Sequence, residues 1–127
     1  MKKRVLIVED DERNLALEKD LLEVAGFEVF TAVNGQDGIS IARKEKPDVI
    51  LMDVRLPDML GTEAAEKLRA DDATCDIPII FVTASVIGDE MKLITALRIS
   101  GYISKPIDTR TFAEDVERFM NVRRCIK

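Results

Sequence analysis

Apolar residues fall along this chain in two alternating rhythms. Arg4-Val5-Leu6-Ile7-Val8, Asp48-Val49-Ile50-Leu51-Met52 and Ile77-Pro78-Ile79-Ile80-Phe81-Val82 are short, nearly unbroken apolar runs. Such runs predict strands buried on both faces, because a half-exposed strand would alternate apolar with polar positions. Glu28-Val29-Phe30-Thr31-Ala32 and Gly101-Tyr102-Ile103-Ser104 read as two further strands. Between the strands the spacing becomes helical. Leu17, Leu21, Val24 and Ala25 recur at i, i+4, i+7 and i+8, with Asp11 placed to cap that helix and Gly26 to stop it. Ile39 and Ala42 mark a second helix that ends before Pro47. Gly61, Ala64, Ala65 and Leu68 mark a third whose small residues allow close approach to a sheet. A fourth is predicted to begin near Gly88-Asp89, and Phe112, Val116, Phe119 and Met120 form the apolar face of a fifth. Asn34-Gly35 and Leu56-Pro57-Asp58 read as breaks between elements.

Five strands alternating with five helices leave no room for hairpins. The pattern predicts an α/β fold, a doubly wound parallel sheet with right-handed crossovers and helices on both faces. In such sheets functional groups gather beyond the carboxyl ends of the strands. The chemically capable residues of this chain occupy that rim: Glu9-Asp10 after the first strand, Asp53 after the third, Thr83 ending the fourth and Lys105-Pro106 after the fifth.

Composition narrows what those residues can do. The 127 residues are 46% hydrophobic and 34% charged, enough for a core and a soluble surface, and suit one domain. A net charge of −5 argues against a nucleic-acid surface. No apolar run approaches membrane-spanning length and the N-terminus lacks a signal-peptide pattern, so a cytoplasmic protein without membrane insertion is expected. Cys75 and Cys125 read as free thiols. The chain has no histidine. A Ser-His-Asp triad, a histidine-ligated zinc and a phosphohistidine carried on this chain are therefore excluded.

Aspartate chemistry moves to the front. Two unit charges roughly 4 Å apart repel by about 4 kcal/mol at an effective dielectric of about 20. Glu9, Asp10 and Asp53 crowded on one rim cannot be neutralised by Lys105 alone, so either a proton or a cation must bind. An all-oxygen site open to solvent favours Mg²⁺, with Mn²⁺ as the second choice. Asp53 then serves as nucleophile, forming an aspartyl phosphate. Lys105 and the cation balance charge on the phosphoryl oxygens, and Thr83 donates a hydrogen bond to one of them. Taken singly each residue has an ordinary structural explanation: a strand-end acid, an acidic helix entry, a hydroxyl satisfying backbone, a loop. Their convergence on one edge carries the functional reading.

The segments VLIVEDD, ILMDVRLPDMLG, IIFVTAS and GYISKP, in this order, resemble the response-regulator receiver domains of two-component signalling, the CheY-like superfamily. Among single-domain members the chain is most similar to receivers of the DivK type. The resemblance covers nearly the whole chain and implies a flavodoxin-like, five-stranded sheet in the order 2-1-3-4-5. It implies one receiver domain over residues 1–127, with no output domain. It makes Asp53 the phosphoacceptor, with Asp10 and Asp53 as direct Mg²⁺ ligands, Glu9 acting through water and the Arg55 carbonyl completing the set. Thr83 and Tyr102 would move together on phosphorylation, and Lys105-Pro106 would be a cis bond. The donor would be a phosphohistidine on a sensor kinase or phosphotransfer protein, docking on Asn14, Leu15, Pro106 and Ile107. Output would go to a downstream protein effector rather than to DNA. The implied role is a phosphoacceptor switch with slow autodephosphorylation, tuned at Arg55 and Ser85, rather than an enzyme. One departure is Arg98, which stands where the family usually carries Gly.

Two other classes share features with this pattern. An aspartate-nucleophile phosphohydrolase of the haloacid dehalogenase type needs a second carboxylate two residues after the nucleophile, where this chain has Arg55. A flavin binder of flavodoxin type needs a phosphate loop after the first strand, where Glu9-Asp10-Asp11-Glu12 would repel it.

Overall fold

Val49–Met52, four apolar residues in a row, forms β3 at the centre of a parallel sheet, every residue fully buried. The structure is a computed structural model and describes residues 2–84, 92 and 96–120. β1 (Arg4–Val8), β2 (Glu28–Ala32), β4 (Ile79–Thr83) and β5 (Gly101–Ser104) complete the sheet in the order β2-β1-β3-β4-β5, all neighbours parallel. The order reverses after β2, so the switch point lies between β1 and β3, and Glu9, Asp10 and Asp53 leave the sheet there.

Four helices lie among the described residues: α1 (Glu12–Val24), α2 (Gly35–Glu45), α3 (Gly61–Ala70) and α4 (Phe112–Met120). The further helix expected near Gly88-Asp89 falls mostly outside the described residues. Two cores result from the alternation of strand side chains. Leu6, Val8, Ile50, Met52 and Phe81 pack against α2 and α3 on one face. Val5, Ile7, Leu51, Ile80 and Val82 pack against α1 and α4 on the other, where Phe112 and Val116 are buried as the helical spacing predicts.

Of the row that the sequence pattern predicts for α1, Leu21 packs against the core and Leu17 and Val24 do not. Val24 is 90% exposed and Leu17 is 39% exposed. The buried residues are instead Glu18 and Leu22, with half-buried Leu15 in line with them at i, i+3 and i+7. The helix carries two partial apolar stripes, and the acid in the middle of one made the other look better. Asp11 does cap α1, accepting the Asn14 N–H at 3.0 Å.

Two further local features concern the backbone and a thiol. Arg98 adopts φ 55°, so a bulky residue occupies the left-handed position ahead of β5 at a cost of roughly 1 kcal/mol. Cys75 is buried and disulfide-bonded, not the free thiol predicted. Pairing depends on proximity in space, which the spacing of cysteines along the sequence does not reveal.

Candidate functional site

Three backbone bonds draw the strand ends together. The Glu9 N–H donates to the Ala32 carbonyl at 3.0 Å, Asp53 N–H to the Val8 carbonyl at 3.1 Å, and Lys105 N–H to the Thr83 carbonyl at 2.9 Å. These bonds continue the sheet ladder one residue past each strand. The functional side chains therefore emerge from rigid backbone rather than from free loops.

Lys105 holds the centre. Its Nζ donates to Asp53 Oδ2 at 2.8 Å and also to Glu9 Oε1. The peptide bond to Pro106 is cis. Glu9, Asp10 and Asp53 each offer a carboxylate oxygen, all within 4.8 Å of one another. Asp53 Oδ1 accepts the Arg55 N–H at 3.1 Å. The Glu9 side chain is only 3% exposed, against 15% for Asp53 and 14% for Lys105, while Asp10 is exposed.

Burial pushes the Glu9 carboxyl above its usual range, against the pull of Lys105. For Lys105 burial works the other way, but its hydrogen bonds to Asp53 and Glu9 prevail and raise its pKa. Lys105 therefore remains a cation under all ordinary conditions. Three carboxylates facing one ammonium leave an excess of negative charge, and the donor set is entirely hard oxygen. That combination fits a divalent cation such as Mg²⁺.

The remaining predicted residues surround this centre. Thr83 is buried at the end of β4. Tyr102 is 44% exposed on β5. The pairing of Thr83 with Ser104 and of Phe81 with Tyr102 puts Thr83 and Tyr102 on one face of the sheet. Arg55 and Pro106 are exposed, whereas Asn14, Leu15 and Ile107 are half-buried. Leu15 and Ile107 pack against the same core. Ser85 lies outside the described residues.

Sequence reasoning missed Glu18. It is 2% exposed on the sheet-facing side of α1, and burial, reinforced by the charge of Glu9, pushes its pKa up to about 8. The signal was available: a glutamate midway between Leu15 and Leu22 at helical spacing.

The family profile of the response regulator receiver domain matches residues 5–117. The polar-differentiation response regulator DivK of Brucella anthropi is 39% identical over 120 residues, covering 94% of this chain and 98% of the relative. Chemotaxis response regulator CheY4 of Vibrio cholerae superimposes with a TM-score of 0.87 at 28% identity, covering 94% of this chain and 99% of that one. The receiver domain of a sensor histidine kinase from Pseudomonas aeruginosa, with a magnesium ion coordinated in its active-site cleft, gives 0.86 at 25% identity. That match covers 96% of this chain and 100% of the other. None of the described helices is long and apolar enough to cross a membrane.

Proposed function

The chain belongs to the response regulator receiver domain family, and from that premise we propose a magnesium-dependent phosphoacceptor switch with Asp53 as the acceptor. The observation that carries this reading is Lys105 Nζ lying 2.8 Å from Asp53 Oδ2 while also bonded to Glu9, beside the exposed Asp10. Glu9, Asp10, Asp53 and the Arg55 carbonyl would hold Mg²⁺, or Mn²⁺ in its place. The bound ion supplies positive charge against which phosphoryl oxygens can sit.

One oxygen of the Asp53 carboxylate attacks the phosphorus of a phosphohistidine. A P–O bond forms as the P–N bond breaks, and the departing imidazole keeps the electron pair and takes a proton from solvent. Lys105 is already within bonding distance of the attacking carboxylate, so its ammonium can pass to a phosphoryl oxygen with little movement. The Thr83 hydroxyl donates to another phosphoryl oxygen, and Tyr102 on the same sheet face follows its displacement. Removal of phosphate by water is the slow reverse of this switching, and the family role is a switch rather than an enzyme. Arg55, where a phosphohydrolase of haloacid dehalogenase type needs a carboxylate, gives that alternative no support.

The donor domain, on a sensor kinase or phosphotransfer protein, docks over Asn14, Leu15, Pro106 and Ile107. Leu15 on α1 and Ile107 in the segment after β5 are both half-buried against one apolar cluster, which supports a continuous patch at the rim. Output then passes to a protein effector, within the cytoplasm. Incubation with acetyl phosphate and Mg²⁺ should add one phosphoryl group by mass. Asp53→Asn should add none. A wild-type mass that stays constant across donor and metal concentrations would overturn the reading.

A further inference from the structure

The loop between Asp53 and α3 is fastened to a neighbouring helix by a residue with no role in the chemistry above. Asp58 Oδ1 accepts the Gly35 N–H at 2.8 Å and Oδ2 accepts the Gln36 N–H at 2.9 Å. These are the first two amides of α2, which have no partner inside the helix. The ordinary cap is already present: Asn34 accepts the Asp37 N–H at 2.8 Å. Asp58 therefore reaches across 23 positions of sequence to a helix already capped by its own residue. The adjacent Met59 reinforces the contact, since a Cβ on Gly35 would meet its Cγ at 2.6 Å.

The clamp is connected to the site on both sides. Within the loop, Leu56 N–H donates to the Met59 carbonyl at 3.2 Å, and Arg55 pairs with Leu60 in an antiparallel bridge. Arg55 N–H in turn holds Asp53 Oδ1 at 3.1 Å. On the far side, α2 follows directly from β2, whose Ala32 carbonyl accepts the Glu9 N–H at 3.0 Å. One stretch, 32–36, is thus bonded to both acidic loops.

We propose that Asp58 is a positioning residue for the cation site, locking the loop that carries Arg55 to the α2 start so that the Arg55 carbonyl and Asp53 stay in register with Glu9. This rests on the magnesium-dependent reading given above. Both carboxylate oxygens are used, so asparagine cannot replace aspartate. Its amide would set an N–H against the N–H of Gly35 or Gln36. Residues that orient metal ligands without touching the ion change affinity by tenfold or more when removed.

The test uses the full chain as wild type, Asp58→Ala, Asp58→Asn and, as a capping control, Asn34→Ala. Mg²⁺ binding is measured by calorimetry, the initial rate of phosphorylation by acetyl phosphate across Mg²⁺ concentrations, and the metal-free thermal midpoint alongside. Both Asp58 variants should need about tenfold more Mg²⁺ for half-saturation while reaching nearly the wild-type rate at saturation. Asn34→Ala should lower the thermal midpoint and leave Mg²⁺ half-saturation in place. Unchanged half-saturation in the Asp58 variants would reduce Asp58 to a helix cap and overturn the inference. So would an equal change in Asn34→Ala. If the Asp58 variants fail to fold, Met59→Ala carries the same expectation of a raised Mg²⁺ half-saturation, with an unmoved value again overturning it. A wild type that takes up neither Mg²⁺ nor phosphate would instead defeat the underlying reading.

Discussion

The two rims of the sheet handle charge in opposite ways. At the amino ends of the strands Glu28, Glu45 and Glu117 each have a cation, and Asp48 has a backbone amide. Arg4 bonds Glu45 at 2.9 Å and approaches Glu28 at 3.4 Å, Asp48 accepts the Arg4 N–H at 2.8 Å, and Lys3 lies 3.9 Å from Glu117. Most of these side chains are a third to a half exposed. Such pairs are screened by water and contribute little individually. At the carboxyl ends three carboxylates share one ammonium, and Glu9, like nearby Glu18, is almost fully withdrawn from water. Charge that is matched and wet stitches elements together. At the carboxyl rim the acids outnumber the ammonium, and part of that charge is dry.

The strongest way to break this contrast is at Asp53. Asp53→Asn should abolish phosphorylation by acetyl phosphate altogether, as read by intact mass, with the fold retained by circular dichroism. Residual stoichiometric labelling would move the acceptor elsewhere.

Glu18 tests whether the carboxyl rim carries excess negative charge inward. Its carboxyl has a folded-state pKa of about 8 against an ordinary value of 4.5. Between those values the folded chain binds a proton that the unfolded chain does not. Stability present below pH 4.5 is therefore lost as pH rises to about 8, by on the order of 5 kcal/mol, and levels off above. Urea denaturation across that window should show the slope in wild type and largely lose it in Glu18→Gln. Parallel curves for the two proteins would rule the effect out.

Lys105→Met leaves Glu9 and Asp53 without their ammonium partner. Removing one member of a buried pair should cost about 3 kcal/mol at neutral pH, partly recovered on adding Mg²⁺. Equal denaturation midpoints for wild type and variant would mean that a proton already neutralises Glu9. The matched rim supplies the smallest effect. Glu28→Ala, which removes a half-exposed partner 3.4 Å from Arg4, should change stability by about 0.5 kcal/mol, and less in high salt. A larger loss would show that this rim, too, carries weight.

Legibility in the sequence tracked burial. The three central strands were readable because both of their faces are covered, so nearly every position reports the same environment, as in Val49–Met52. The rim residues were readable because they directly follow those strands. α1 was misread because a helix shows one side to the core and another to water, and Leu17, Leu21 and Val24 form as regular a row as Leu15 and Leu22. Only the sheet decides between them. Glu18 disappeared for the same reason. Asp58 looked like a turn residue because its partners, Gly35 and Gln36, are distant in sequence.

The order of amino acids alone determined the alternation of strands and helices, the acids that end β1 and β3, and the lysine and proline that follow β5. These depend on local spacing and on the rule that strand ends converge in a parallel sheet. Tertiary structure alone decided which stripe of α1 is dry, that Glu18 lies under the site, that Cys75 is paired, and that Asp58 ties the Asp53 loop to α2. Each of those depends on contacts between positions far apart in the chain, and such distances are set by packing, which no local pattern encodes.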